Sequence, residues 1–467
     1  MKIKILLALL LAMPTLAAEQ KEVRLITLDP GHFHASLCQK FMYPGVNPVV
    51  HVYSPGGPEL EQHLKRIEAF NTRADNPTRW QEKVYTGPDF LEKMIADNAG
   101  NVVVISGNNA KKAKYILACV NAGLNVLADK PMAITPADFN LIQQAIVVAR
   151  EKHVLLDDIM TERNEITTIL QRELSMQHAV FGQLEEGTPD DPSVTKISVH
   201  HFFKEVAGKP LIRPPWFFDV KQQGEAIVDV TTHLVDLVQW ECYPGQSLHA
   251  REAKVLDARH WTTTITPDQF KKATGLAAFP DYLKPSIGPD GAIHIYSNGA
   301  FTWNLRGVHA KVSVEWNFQA PPGTGDTHFS MMRGTKAELV IRQGKEQNYK
   351  PTLYIESRET DTAIEFERNL DTAINAIAKE WPGIAAKKIH DASWEILIPD
   401  KYKIGHEAHF AQVTERYLKF LAASKMTDWE TPNLITKYST IMQAYRLSRE
   451  TTLPWENAPA TPAKKKK

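Results

Sequence analysis

Asp229 and His233 stand four residues apart, with Asp236 three further on, in the stretch from Gly224 to Trp240. Residues three and four apart on a helix are neighbours, so the spacing predicts an imidazole flanked by two carboxylates. A carboxylate beside an imidazole fixes its tautomer and raises its basicity, which suits a residue that takes a proton from a hydroxyl. The same pair can simply pin a packed helix, which is the commoner use of an isolated D-x-x-x-H. Other polar groups with chemical potential are Lys130 in Asp129-Lys130-Pro131, His32 and His34 in a Gly-containing turn, and His200-His201 ahead of Arg213-Pro-Pro-Trp216-Phe-Phe-Asp219. Imidazoles with a carboxylate suit zinc or manganese, and His32, His34 and His233 are the set that could converge on an ion. Paired loop histidines serve more often in hydrogen bonding or packing, so the expectation is no metal. Trp216 is a candidate for stacking on a sugar ring, a role that loop aromatics share about equally with packing.

The elements that must position these groups follow from hydrophobic periodicity. Ile227, Leu234, Leu237 and Val238 recur at helical spacing and predict one amphipathic helix from Gly224 with those residues facing a core. Towards the N-terminus, apolar runs at 23–28, 48–53, 101–106, 125–128 and 154–156 alternate with helical patterns at 59–70, 90–96, 113–122 and 135–150. Pro136 sits in the first turn of the last of these. Such alternation predicts a Rossmann-like parallel sheet with helices on both faces, over residues 19–160. Ligands on such sheets bind beyond the carboxyl ends of the strands. From residue 161 to about 430 the texture becomes that of an α+β domain with a mostly antiparallel open sheet. Its strands are predicted at 195–200, 292–296, 300–305, 311–318, 328–332 and 337–341, with Ser297-Asn-Gly and Gly323-Thr-Gly as turns. Helical patterns at 408–423 and 434–449 close the chain. The second, within 431–453, is expected to return to the first domain, and 454–467 forms a Pro- and Ala-rich tail expected to be disordered.

The length, 467 residues, calls for two cores. Lys+Arg and Asp+Glu both number 54, but Lys2, Lys4 and Lys464 to Lys467 lie at the ends, leaving a body of net charge −6. A mildly acidic body argues against a nucleic-acid partner. Met1 to Ala18 has two lysines, an apolar run and small residues at Ala17 and Ala18, the pattern of a secretory signal peptide. No other segment reads as a membrane span. Export to a bacterial periplasm is the expectation. Cys38, Cys119 and Cys242 are widely spaced in apolar surroundings and are expected as buried thiols.

A dinucleotide fingerprint would place glycines as G-x-G-x-x-G after the first strand. Here those positions hold Asp29, Gly31 and His34, and the second strand ends in Ser54 rather than an acid. Four segments in this order resemble the Gfo/Idh/MocA (glucose-fructose oxidoreductase / inositol dehydrogenase) family. They are the first β-turn-α, Val102 to Asn108, Ala122 to Met132 with its Asp-Lys-Pro, and the stretch from Gly224. The family's Glu-Lys-Pro is matched by Asp129-Lys130-Pro131. Its D-x-G-x-H-x-x-D is matched by Asp229, His233 and Asp236, with Thr231 in the glycine's place. The resemblance covers most of residues 22–345 and the closing helix, and identifies the chain as a divergent, secreted relative.

The resemblance implies an NAD(P)-dependent oxidoreductase. Lys130 would bridge the nicotinamide ribose and the substrate hydroxyl, Asp229 would orient substrate, and His233 would take the hydroxyl proton. Gly31, His32, Phe33, Ser54, Ser106, Asn108, Asp129 and Lys130 would meet the cofactor, and Asp236, His201 and Trp216 the carbohydrate. Ser54 leaves NAD and NADP both open. Free NAD is scarce outside the cell, so a tightly held cofactor, reduced and reoxidised within each cycle, is expected, with redox-neutral glycoside cleavage as one outcome. The alternatives are a cofactor-free or metal-dependent hydrolase or lyase on the same scaffold, and a non-catalytic carbohydrate-binding protein. The second-domain sheet offers a face for a homo-oligomer.

Overall fold

The computed structural model describes residues 22–206, 209–358 and 363–451. The expected signal peptide and C-terminal tail lie outside the described residues. The first half alternates as the periodicity demands: β1 (Leu25–Leu28), α1 (His34–Leu37), β2 (Val49–Ser54), α2 (Pro58–Thr72), β3 (Gln81–Thr86), α3 (Phe90–Asp97), β4 (Val102–Ile105), α4 (Asn109–Asn121), β5 (Asn125–Asp129), α5 (Pro136–Lys152) and β6 (Leu156–Ile159). The six strands are parallel in the order β3-β2-β1-β4-β5-β6, a doubly wound Rossmann-like sheet. α5 starts where the sequence places it because Thr135 and Asp138 cap each other reciprocally and Pro136 takes the first turn. β3 escapes the hydrophobic pattern because it is an edge strand whose residues are mostly exposed.

After α6 (Ile166–Ser175) come β7 (Val194–Phe203), the short hairpin β8 (Glu205–Val206) and β9 (Lys209–Pro210), α7 (Val220–Gln223) and α8 (Thr231–Cys242). Next are β10 (Ala253–Ile265), α9 (Pro267–Thr274), β11 (Ile293–Leu305), β12 (Val308–Gln319), β13 (Thr327–Arg333), β14 (Ala337–Arg342) and β15 (Thr352–Ser357). α10 (Ala363–Ile377), β16 (Ala385–His390), β17 (Ser393–Leu397), α11 (His406–Ala423) and α12 (Glu430–Thr451) complete the chain. Nine of these strands form one sheet, β10-β11-β12-β7-β13-β14-β15-β17-β16, antiparallel except at the β12–β7 pair. No helix of the described residues is long and apolar enough to cross a membrane.

Two readings need correction. The helix expected from Gly224 begins at Thr231, because residues 225–230 turn tightly, with the amides of Val228 and Asp229 both bonded to the Glu225 carbonyl. Ile227, Leu234, Leu237 and Val238 are nonetheless buried. The Ser297-Asn-Gly segment does not turn; it runs through the middle of β11. Asn298 bonds Trp261 O, Thr263 Oγ1 and the Trp316 amide, and a Cβ on Gly299 would sit 3.0 Å from Ile227 Cβ. That glycine is needed for close approach of the turn before α8. The first sheet is also packed by a helix from late in the chain. α1 is a single turn, and the sheet face beside it is covered by α11, whose Phe410, Val413 and Tyr417 share a core with Leu25, Leu37 and Val104.

α12 lies against β10, α8 and α5, so the closing helix touches both domains. Lys437 on α12 donates to Asp158 at 3.1 Å and Asp236 at 3.0 Å. The Tyr438 hydroxyl bonds Asp158 and accepts from the Met132 amide. Cys38 and Cys119 are buried free thiols and Cys242 is half-buried.

Candidate active site

A cavity of about 1000 Å³ opens between the carboxyl ends of β1, β4, β5 and β6 and the inner face of the nine-stranded sheet. This is where a parallel sheet presents ligands. Lys130, one residue beyond β5, donates to Asp229 Oδ1 across 2.7 Å, and both groups line the cavity. Gln223 donates to the other oxygen of Asp229 at 3.0 Å, so that carboxylate is held from both sides. His233, in the first turn of α8, lines the same wall. Its Nδ1 is buried without a hydrogen-bond partner among the described residues. Burial, with the charge of Lys130 and the nearby His406, holds its pKa well below the usual imidazole value. The ring is therefore neutral at physiological pH, and a weaker base than a free imidazole.

The third member of the expected face is elsewhere. Asp236 is buried behind α8, gripped by Arg163 and Lys437, and does not reach the cavity. Arg163 also pairs with Glu430 at 3.0 Å. The Arg163 and Lys437 cations outweigh burial and keep the Asp236 carboxyl well below its usual pKa. This residue joins α8 to α12 rather than meeting substrate. His201 is likewise buried, 3.2 Å from Asp326. Its neighbour His200 reaches the cavity, 3.0 Å from the same carboxylate and stacked on Trp316 at 5.0 Å. Trp216 packs inward, and the aromatic cavity wall is Phe217 and Trp316 instead. Arg213 lies over Phe217 at 4.3 Å and donates to the carbonyls of Phe202 and His201. Burial lowers its pKa to about 10, which leaves it charged.

Of the expected cofactor residues, His32, Phe33, Asp129 and Lys130 line the cavity. Gly31 borders only a neighbouring space of about 20 Å³. Ser54 is buried and accepts from the Gly56 amide. Ser106 donates to Asp129 Oδ2 at 2.9 Å. Asn108 caps α4 and bonds Gln222. The glycine-turn amides of Gly31 and His32 both donate to the Ser106 carbonyl, and α1 is too short to present a helix N-terminus to a pyrophosphate. Asp29 is turned away, bonded to Lys111 and Tyr115.

The nicotinamide end of a dinucleotide fits this chain better than the fingerprint implies. A Cβ on Gly107 would lie 2.4 Å from Asp29 O, so the turns after β1 and β4 pack backbone to backbone there, and Gly107 itself borders the cavity. Beyond it are Phe33, Asn109 and Lys130, in a space ample for a nicotinamide riboside and a sugar ring.

Sequence reasoning missed Glu162, His406 and His409. Glu162 follows β6 as Lys130 follows β5, and strand order alone pointed to that position. Burial and the nearby Glu165 raise its pKa to about 7, against the lowering effect of Lys130. His406 and His409 come from α11, whose docking no local pattern announces.

The model of a family described as "Oxidoreductase family, NAD-binding Rossmann fold" matches residues 30–157, and one described as "Putative oxidoreductase C terminal domain" matches residues 170–449. A crystal structure titled a "putative oxidoreductase" from Parabacteroides merdae is 52% identical, with a TM-score of 0.90, covering 93% of this chain and 99% of that one. Levoglucosan dehydrogenase in complex with NADH and levoglucosan is 13% identical, with a TM-score of 0.57, covering 91% and 98%. A 3-ketoreductase from Actinomadura kijaniata, in complex with NADP, is 12% identical at a TM-score of 0.53, covering 89% and 95%. The last two share the fold alone. The comparison with curated proteins returned no match.

Proposed function

The chain belongs to the Gfo/Idh/MocA oxidoreductase family, and on that premise we propose that it oxidises a hydroxyl of a sugar or glycoside, with a tightly held NAD(P). The observation that carries the reading is the meeting of Lys130 and Asp229 at 2.7 Å beside the neutral His233 in one cavity.

The chemistry divides among these residues. The Lys130 ammonium, oriented by Asp229, holds the substrate oxygen and stabilises negative charge as it develops. His233 accepts the hydroxyl proton on the edge of its ring that faces the cavity. Phe217 and Trp316 offer an apolar wall to a sugar face, and Phe33, Asn109 and Lys130 would hold the nicotinamide end. When bound, the nicotinamide supplies the hydride acceptor. Export through the leader at Met1 to Ala18 belongs to the same proposal and favours a redox-neutral net reaction, glycoside cleavage among its outcomes.

The test is chemical. Protein purified from the periplasm and denatured is expected to release about one NAD(P)(H) per chain, and His233→Asn is expected to remove turnover while retaining that cofactor. A supernatant without dinucleotide, from protein that also fails to bind added NAD or NADP, would overturn the proposal.

A further inference from the structure

Three groups at the sheet end of the cavity have a use beyond holding a dinucleotide. His34 Nδ1 lies 3.0 Å from Asp129 Oδ2 and His32 Nδ1 lies 3.7 Å from the same oxygen. The ligand atoms of all three residues fall within 4.8 Å of one another. We propose that His32, His34 and Asp129 bind a divalent transition-metal ion of the zinc or manganese class, with its remaining positions open to the cavity.

Metal–nitrogen and metal–oxygen bonds of about 2.0–2.2 Å put two ligands of one ion roughly 3.0–3.5 Å apart. The observed spacings bracket that range. Two imidazoles with one carboxylate are the donor set of open, three-ligand catalytic sites. Ser106 donates to Asp129 Oδ2 at 2.9 Å, the kind of supporting hydrogen bond that orients a ligating carboxylate. The Asp129 carbonyl accepts from Lys112 at 2.8 Å, which fixes the backbone behind it. Among the described residues, His32 Nδ1 is otherwise engaged only by a long contact of 3.4 Å from the His34 amide, which an ion would readily displace. The two histidines belong to the turn that a glycine fingerprint would keep bare, so their side chains occupy room that pyrophosphate recognition leaves empty. Lys130 and His233 line the same cavity, so the ion would act as a Lewis acid on an oxygen of the bound substrate. The proposal does not rest on the oxidoreductase reading.

The mature protein, stripped with chelator and freed of nucleotide, is titrated calorimetrically with ZnCl2 and separately with MnCl2. One equivalent is expected to bind per chain, and His34→Gln and His32→Gln are each expected to weaken it at least tenfold. Because a variant could fail to fold, Cu2+ is also bound to the unaltered protein and its electron paramagnetic resonance recorded. Splitting from two imidazole nitrogens is expected. Absence of stoichiometric binding, affinity unchanged in both variants, or a spectrum without imidazole nitrogens would overturn the site. Dinucleotide release from the same preparation is a separate readout, so either proposal can fail alone.

Discussion

Arg163 grips Asp236 through two parallel hydrogen bonds, Nε to Oδ2 at 2.6 Å and Nη2 to Oδ1 at 2.7 Å, inside the molecule and away from the cavity. With Lys437, Asp158 and Glu430 this pair locks α8 to α12. Removing one member of a buried pair leaves the other charge uncompensated, at a cost of about 3–5 kcal/mol. Asp236→Asn is therefore expected to lower the unfolding free energy by about that amount, read from urea unfolding curves, while leaving KM close to the wild-type value. A large rise in KM with unchanged stability would return Asp236 to the substrate.

His233→Asn is expected to lower kcat by about 10²–10⁴, the usual contribution of a positioned proton acceptor. Lys130→Met leaves Asp229 without its cation and should lower kcat/KM as well. Single-turnover rates on a panel of glycosides would separate the two, since only the first change leaves binding intact.

Glu162 faces the cavity with a pKa raised to about 7 by burial and its neighbour Glu165. It is protonated below that value and charged above it, so activity is expected to change across neutral pH. Glu162→Gln should flatten that limb. A profile that keeps the same inflection in this variant assigns it to another group.

Away from the cavity, burial pushes His63 down to about 4 and Glu82 up to about 7. Between pH 4.5 and 6.5 the unfolded chain carries its proton on the histidine and the folded chain carries it on the glutamate. The count is the same, so this pair adds no slope to wild-type stability there. With Glu82→Gln, only His63 remains, and stability should rise with pH through this window. With His63→Gln, only Glu82 remains, and stability should fall. Each slope approaches about 1.4 kcal/mol per pH unit, and urea midpoints at three pH values would reveal equal signs if the pairing is wrong.

Phe410 lies fully within the core that α11 shares with β1 and β4. Phe410→Ala is expected to cost about 3–5 kcal/mol, read as a lowered thermal midpoint. A near-neutral change would show that α11 is only loosely docked.

What the sequence made legible was whatever is local. Thr135, Pro136 and Asp138 announce α5, and the Val102–Ile105 run announces a buried strand. Lys130 and Asp229 were paired with one site by their motifs although 99 residues separate them. What stayed hidden depends on distant partners. Asp236 lies near His233 by helical spacing, yet Arg163 and Lys437 arrive from elsewhere in the chain and turn it to structure. Asn298-Gly299 carries turn chemistry, yet the glycine answers a steric demand from Ile227. Trp216 and Phe217 are equivalent by composition, and only packing decides that the phenylalanine meets the cavity.

The dependence of the first sheet on α11 reaches into the order of events at synthesis. Leu37 leaves the ribosome several hundred residues ahead of Phe410, so one side of the nascent parallel sheet, packed early only by residues such as Ile67 and Trp80, lacks the part of its cover that α11 supplies until the chain is nearly finished. A long-range closure of this kind slows folding and lengthens the interval in which sticky intermediates can clump. A chain kept loose by a holding chaperone until its last helices emerge would avoid that hazard.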